Sequence, residues 1–265
     1  MAKEPVTPVP AATILLVRDG ADGLEVFMVE RHHQIDFATG ALVFPGGKVD
    51  DADYAAGIRA RCEGAGDLDD DALALRVGGI REAFEECGVL LAHDAGGTGL
   101  ISGDRLQSLE HYREKLVKNE LGMLDMLEAE NLVLVLDNLV HFAHWITPPM
   151  VPKRFDTHFF IIEAPADHIA VHDGHESVDS VWIKPSKVIE EADAGRRTVI
   201  FPTRMNVMKL GKSASVADAV AAAQSSKIVT VLPEMGKGDQ GPFLKIPEEA
   251  GYDVSIQLLS EMKGA

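Results

Sequence analysis

An α+β chain built on a mixed β-sheet is the architecture this sequence encodes. Two runs rich in branched and apolar residues, Ala12–Arg18 and Leu24–Arg31, flank a Gly20–Gly23 turn of the hairpin type. An amphipathic helical segment runs from the Asp69–Asp71 cluster to Cys87 and meets Gly88, the residue type favoured just past a helix end. Later strands and helices follow one another without a regular strand–helix–strand repeat, which argues against a purely parallel sheet.

Each element has its own signal. Ala41–Phe44 reads as a short strand entering Pro45-Gly46-Gly47, a sharp break in the backbone. Asp51–Cys62 has the pattern of a short helix, broken by Gly64 and Gly66. Asp69, Asp70 and Asp71 offer an N-cap and acidic residues for the next helix. Leu100–Asn119 and Gly122–Glu130 read as two helices rich in charge and leucine. Leu139–Ile146, His158–Glu163 and Val178–Ile183 read as strands. Pro185–Ala192, Pro202–Leu210 and Ser215–Gln224 read as helices, the last with Ser215 and Asp218 as a capping pair, and Lys227–Leu232 is a late strand. Residues 12–265 are expected to form a single domain, preceded by an arm over residues 1–11 that carries Pro5, Pro8 and Pro10.

The chain has 265 residues, 46% of them hydrophobic, enough to bury a large core. Its formal net charge is −17, which opposes binding to nucleic acid or to an anionic membrane but not to a small phosphate ligand held through metal ions. The two cysteines, Cys62 and Cys87, do not make a disulfide framework, and a reducing cytoplasm is the expected compartment. The apolar run Leu132–Leu136 is too short to span a bilayer, and neither terminus carries a targeting signal.

The segment from Arg81 to Gly88 carries the chemistry. With Glu82 set at zero on a helical wheel, Glu85 and Glu86 fall at roughly −60° and +40°, while Val77, Ile80, Phe84 and Cys87 fall at roughly 140° to 220°. One face is therefore apolar and the other gathers three carboxylates. Such a cluster weakens a helix by a few tenths of a kcal/mol per like-charged pair, and a hard divalent cation removes that repulsion. A solvated acidic face is the alternative for such a pattern taken alone. Arg81 stands one turn before Glu85 and can orient it. The strand end and glycine turn at Phe44-Pro45-Gly46-Gly47 can bring backbone carbonyls to the same ion.

These residues resemble the Nudix box: Gly, five residues, Glu, seven residues, then Arg-Glu, an apolar residue, any residue, Glu-Glu, any residue and Gly. Arg81 through Val89 match its second half, and Gly47 matches its glycine. Asp53 stands where the family has Glu, and Arg81 follows it after 28 residues rather than eight, an excess of 20. The resemblance implies an α/β/α sandwich with a mixed sheet, an insert at about residues 54–73 and a helical insertion at about 102–131. It implies a Mg²⁺- or Mn²⁺-dependent hydrolase of nucleoside diphosphates linked to another group. Gly47, Glu82, Glu85 and Glu86 would be metal ligands, and Glu85, Glu86 and Arg81 catalytic residues. The insert, with Gly57, Gly64 and Gly66 and few large apolar residues, is expected outside the core as a flap beside the substrate.

An insert in the box resembles the branch typified by peroxisomal and mitochondrial coenzyme A diphosphatases. His144-Trp145-Ile146-Thr147-Pro148, Pro152 through Phe160, and Phe201-Pro202-Thr203 are similar to that branch's segments. Coenzyme A or an acyl-CoA is the leading substrate on this ground. ADP-ribose, NADH and dinucleoside polyphosphates are the rivals, with a non-catalytic ligand-sensing module as the reading from another class. Arg31, Lys48 and Arg154 are candidates for the substrate phosphates, with Arg196 and Arg197 also available. Glu176, in a loop shared with Asp173 and Asp179, is a candidate for water activation. Asp156 is expected to pair with Arg154 or cap a turn. His141 and His144, at an odd spacing on a strand, are expected on opposite faces. Oligomeric state is open, a homodimer included.

Overall fold

Alternation along the first strand decides the layering. In β1 (Val9–Gly20), Ala12, Ile14 and Leu16 belong to one apolar cluster, and Leu15 and Val17 to another. A strand buried on both sides needs a covering layer on each. The computed structural model describes residues 6–31, 40–168, 170 and 177–261.

β1 returns through a two-residue turn into β2 (Gly23–Arg31). β3 (Leu42–Val43) pairs with β2, and β4 (Gly46–Lys48) with the first half of β1. Two 3₁₀ turns, Asp51–Tyr54 and Ile58–Arg61, and the short β5 (Cys62–Glu63) lead to α1 (Asp70–Cys87). Asp69 caps α1 by accepting from the Ala72 amide, and Gly88 ends it at φ +66°. There follow β6 (Ala92–Asp94), α2 (Gly103–Ser108), α3 (Glu110–Val117), α4 (Met123–Ala129) and β7 (Leu132–Val135). Next come β8 (Val140–Ile146), β9 (Phe155–Glu163), β10 (Ser177–Ile183), α5 (Pro185–Asp193), α6 (Phe201–Leu210) and α7 (Val216–Ser225). The chain closes with β11 (Thr230–Val231), β12 (Glu234–Gly238), β13 (Gly241–Lys245) and β14 (Ile256–Leu258).

The main sheet has the order β10-β2-β1-β9-β8-β11. β1 runs parallel to β9 and β8 parallel to β11, while the other neighbours are antiparallel, so the sheet is mixed as expected. α1 and the helical insertion cover one face, and α5, α6 and α7 the other, giving the α/β/α sandwich. Among the described residues no helix is long and apolar enough to cross a membrane.

Several boundaries differ from the sequence reading. β1 starts at Val9, inside the segment read as an arm, because Val9 pairs with Phe155 and donates to the Arg154 carbonyl at 2.9 Å. The helix expected over Asp51–Cys62 is a pair of 3₁₀ turns. The segment Leu100–Asn119 holds two helices that part at the buried Leu109. The C-terminal sheet β12-β13-β14 was not foreseen, although the Gly238–Gly241 turn is a hairpin signal.

The insert in the box is not a flap. Ile58 and Ala65 lie in the same core cluster as α1, and β5 runs parallel to β7 in a small sheet with β6. Cys62 and Glu63 pair with Leu134 and Val135, which ties the insert to the end of the helical insertion. Replacing Ala56–Ala65 with a Gly/Ser linker removes Ile58 from that core and deletes β5. The expected cost is at least about 3 kcal/mol, on the scale of emptying one large apolar site. Thermal denaturation checks this, and an unchanged Tm would return the insert to the periphery.

Candidate active site

Nearly every side of α1 is covered. Val77, Ile80, Ala83, Phe84 and Cys87 are fully buried against the sheet and the helical insertion, as the helical period requires. The acidic face is closed as well: Glu85 is 8% and Glu86 6% exposed. A solvated acidic face is thereby excluded. The cover is the turn at the head of β4. The Gly46 amide donates to Glu86 Oε2 at 2.9 Å. Gly47 stands so close to Glu82 that a Cβ there would lie 2.3 Å from Oε1, so a side chain at this position would displace the carboxylate.

Arg81 organises the acids from beneath. It donates to Asp53 through Nε and Nη2 at 3.0 Å each, and to Glu82 and Glu85 through Nη1 at 3.0 and 3.2 Å. Nη2 also reaches the Lys48 carbonyl at 2.8 Å, which pins the glycine turn to the helix. Asp53 is fully buried, and the Asp50 amide donates to its Oδ2 at 2.9 Å. The Asp in the place of the family's Glu thus has a positioning role: it holds the guanidinium that orients Glu85. Burial works against the charge on Arg81, but the hydrogen bonds to Asp53 and the charges of Asp53, Glu82 and Glu85 together outweigh it and hold the guanidinium firmly protonated.

Burial pushes the Glu85 carboxyl up to about 6, with Arg81 opposing. Asp50, Asp53, Glu82 and Glu85 crowd one guanidinium, with Glu86 beside them. An all-oxygen donor set with excess negative charge, partly closed from solvent, fits a hard divalent cation such as Mg²⁺ or Mn²⁺. Glu82, Glu85 and Glu86, with the Gly47 backbone, are the residues that would hold it.

A stability signature follows for the metal-free protein. Glu85 has a folded pKa of about 6, above its ordinary value of 4.5. Its contribution is present below pH 4.5 and is lost as the pH rises through about 6, a change of about 2 kcal/mol. The difference in Tm between the EDTA-treated protein and its Glu85→Gln variant should follow this window, and excess Mg²⁺ should abolish it. A difference independent of pH would show that Glu85 titrates normally.

The acids line a cleft of about 1260 Å³. Lys48 and Arg197 line it, and Arg197 also pairs with Glu30 at 3.2 Å. Arg154 does not join them. It is buried, and its guanidinium donates to the Thr147 and Val6 carbonyls at 2.9 and 2.7 Å. Arg154 is not among the residues lining the cleft, and its Nε and Nη1 are held by backbone carbonyls. Arg196 is taken up by Glu190 and Glu191 on α5. Asp156 pairs with His144, not with Arg154. Arg31 ends β2, and its side chain, like Glu176 and Asp173, lies outside the described residues.

The sequence reading missed part of the lining of the cleft. Leu116 and Val117 end α3 and Asn119 follows it, Met235 and Leu244 come from the C-terminal hairpin, and Leu259 from the turn after β14. With Ile146, Pro148 and Met150 they add an apolar lining to the cleft. No local pattern marks these residues, since they meet only through tertiary folding.

A carboxylate helix packed against a glycine turn, inside an α/β/α sandwich with a mixed sheet, defines the Nudix class. A family model described as the NUDT19 Nudix domain matches residues 59–209. The chain belongs to this family of Nudix hydrolases. The match begins inside the insert, so Gly47 and Asp53 lie upstream of it. A Nudix hydrolase structure from Alicyclobacillus acidocaldarius is 28% identical, with a TM-score of 0.68, covering 82% of this chain and 96% of that one. The acyl-coenzyme A diphosphatase NUDT19 of Homo sapiens is 26% identical over 75% of this chain and 63% of its own length. Its counterpart from Xenopus laevis is 23% identical over 63% of this chain and 54% of its own length. The chain thus spans little more than half the length of these curated relatives.

Proposed function

We propose that this chain is a divalent-metal-dependent pyrophosphohydrolase acting on a nucleoside diphosphate linked to another moiety, with coenzyme A or an acyl-CoA as the leading substrate. The observation that carries this reading is the joining of two surfaces in one cleft. Buried carboxylates against a glycine turn and a set of apolar side chains line the same cleft. The first suits a diphosphate with its metal ions, and the second suits a chain such as an acyl or pantetheine arm. Curated relatives named as acyl-coenzyme A diphosphatases support the same substrate. Residues 12–265 are taken as one Nudix domain.

A bound Mg²⁺ or Mn²⁺ supplies charge stabilisation at the phosphoryl oxygens and makes water more acidic. The chain's own groups hold the geometry. Arg81 fixes Glu85 through Nη1, and the Gly46 amide fixes Glu86. Glu85, held in place by Arg81, is the carboxylate positioned to take a proton from the attacking water. Lys48 and Arg197 offer positive charge to the phosphates from the cleft wall.

The test is a panel of coenzyme A, acyl-CoA, ADP-ribose, NADH and a dinucleoside polyphosphate, with Mg²⁺ and with EDTA, and products identified by mass. We expect 4′-phosphopantetheine derivatives and adenosine 3′,5′-bisphosphate in Mg²⁺, and no cleavage in EDTA. Preferred cleavage of ADP-ribose, NADH or a dinucleoside polyphosphate would overturn the substrate. Full activity after verified metal removal would overturn the metal dependence. Binding without turnover across the panel would identify a sensing module.

A further inference from the structure

His141 and its neighbours occupy the sheet face turned away from the cleft. A β-bulge between His141 and Ala143 resets the alternation of β8. His141 and His144 therefore come to one face despite their odd spacing, while Phe142 and Ala143 both enter the core. His158 on β9 stacks on both, with ring centroids 5.0 Å from His141 and 4.0 Å from His144. Trp145, Phe155 and Thr157, at the intervening positions, line the cleft on the other side.

We infer that His144, Asp156 and His158 form a second cation site, one that takes Zn²⁺ or a similar borderline divalent ion in preference to Mg²⁺. Their ligand atoms lie within 4.8 Å of one another. His144 Nε2 pairs with Asp156 Oδ1, and His158 Nε2 stands 3.8 Å from the same oxygen. The other ring nitrogens are engaged. His144 Nδ1 meets Thr230 Oγ1 at 2.8 Å, and His158 Nδ1 meets His141 Nε2 at 3.1 Å. Partners of this kind orient the imidazoles of metal sites and leave the opposite nitrogen for the ion. Zn²⁺ with bonds of about 2.0–2.1 Å holds its ligands roughly 3.3 Å apart, so closing the site needs only small side-chain movements.

His158 Nε2 stands 3.8 Å from the carboxylate oxygen, a gap that a shared cation would bridge by engaging both. Arg76, whose guanidinium lies over the Phe160 ring and donates to the Ala72 carbonyl, is the charge that opposes binding. Two imidazoles and one carboxylate favour a borderline ion over Mg²⁺, the reverse of the all-oxygen set on α1. The side chains of His144, Asp156 and His158 are 15%, 35% and 22% exposed, so solvent and ion can reach them. An ion here joins β8 to β9, and through Thr230 to β11.

The experiment is equilibrium dialysis of the full chain against micromolar Zn²⁺ in millimolar Mg²⁺, followed by metal analysis. The expected result is a retained Zn²⁺ whose affinity falls at least tenfold in His144→Ala and in His158→Ala, and is unchanged in Glu86→Gln. X-ray absorption of wild-type protein with half an equivalent of Zn²⁺ reads the ligands without relying on any variant's folding, and should show imidazole scattering. Oxygen-only coordination, Zn²⁺ lost in Glu86→Gln but kept in His158→Ala, or no Zn²⁺ retained would overturn the inference. None of these outcomes depends on which diphosphate the cleft accepts.

Discussion

Glu86→Gln is expected to lower kcat by at least about a hundredfold while the protein stays folded, the scale of removing one electrostatic stabiliser from an active site. Glutamine keeps the shape and an oxygen that can still accept from the Gly46 amide, now 2.9 Å from Glu86 Oε2. What it removes is one negative charge from the proposed metal site. Like-charge repulsion along the helix face falls at the same time, so Tm should hold or rise slightly. Steady-state kinetics on the substrate that wild type cleaves best, with a thermal scan of the same preparation, decides the matter. If near-normal kcat survives at saturating Mg²⁺, Glu86 is not a ligand. If the variant unfolds, the carboxylate is there for packing with the Gly46 turn.

The parts of this site that were legible in the sequence are those set by local rules. The helical period placed Glu82, Glu85 and Glu86 together and opposite Phe84 and Cys87, and the caps at Asp69 and Gly88 fell where side-chain chemistry puts them. The glycine turn was also legible, because at Gly46 a positive φ and the backbone of Ala12 and Thr13 leave no room for a side chain. What escaped was tertiary. Nothing near Ile58 says that it reaches the core of α1 or that Cys62 will pair with Leu134. The bulge in β8 reverses the parity on which the opposite-face reading of His141 and His144 rested. Arg154 looked like a phosphate ligand because its residue type suits one, but it does not line the cleft and two of its nitrogens donate to the Val6 and Thr147 carbonyls. The apolar lining of the cleft joins α3 to a hairpin more than a hundred residues later, and no sequence window spans both.

Among single substitutions, the largest loss of stability is expected from Asp53→Ala. Asp53 is fully buried and takes two hydrogen bonds from Arg81 and one from the Asp50 amide. Burial pushes its carboxyl upward, and these bonds oppose the push. Space for the carboxylate comes from Gly78 on α1, where a Cβ would stand 2.8 Å from Asp53 Oδ2. Truncation opens a hole beneath Arg81 and leaves that guanidinium buried with fewer partners, a change of about 3–5 kcal/mol when one half of a buried pair is removed. Glu82 and Glu85 remain within reach of Nη1 and should hold the cost near the lower end of that range. The freed Arg81 would then pull on the carboxylates above it, so kcat should fall along with Tm. In a double-mutant cycle of Asp53→Ala and Arg81→Ala, monitored by chemical denaturation, the two losses should be far from additive, because either change alone breaks the same pair. Additive losses, or an Asp53→Ala variant within about 1 kcal/mol of wild type, would show that Arg81 is held by the helix carboxylates alone and that Asp53 is dispensable to the site.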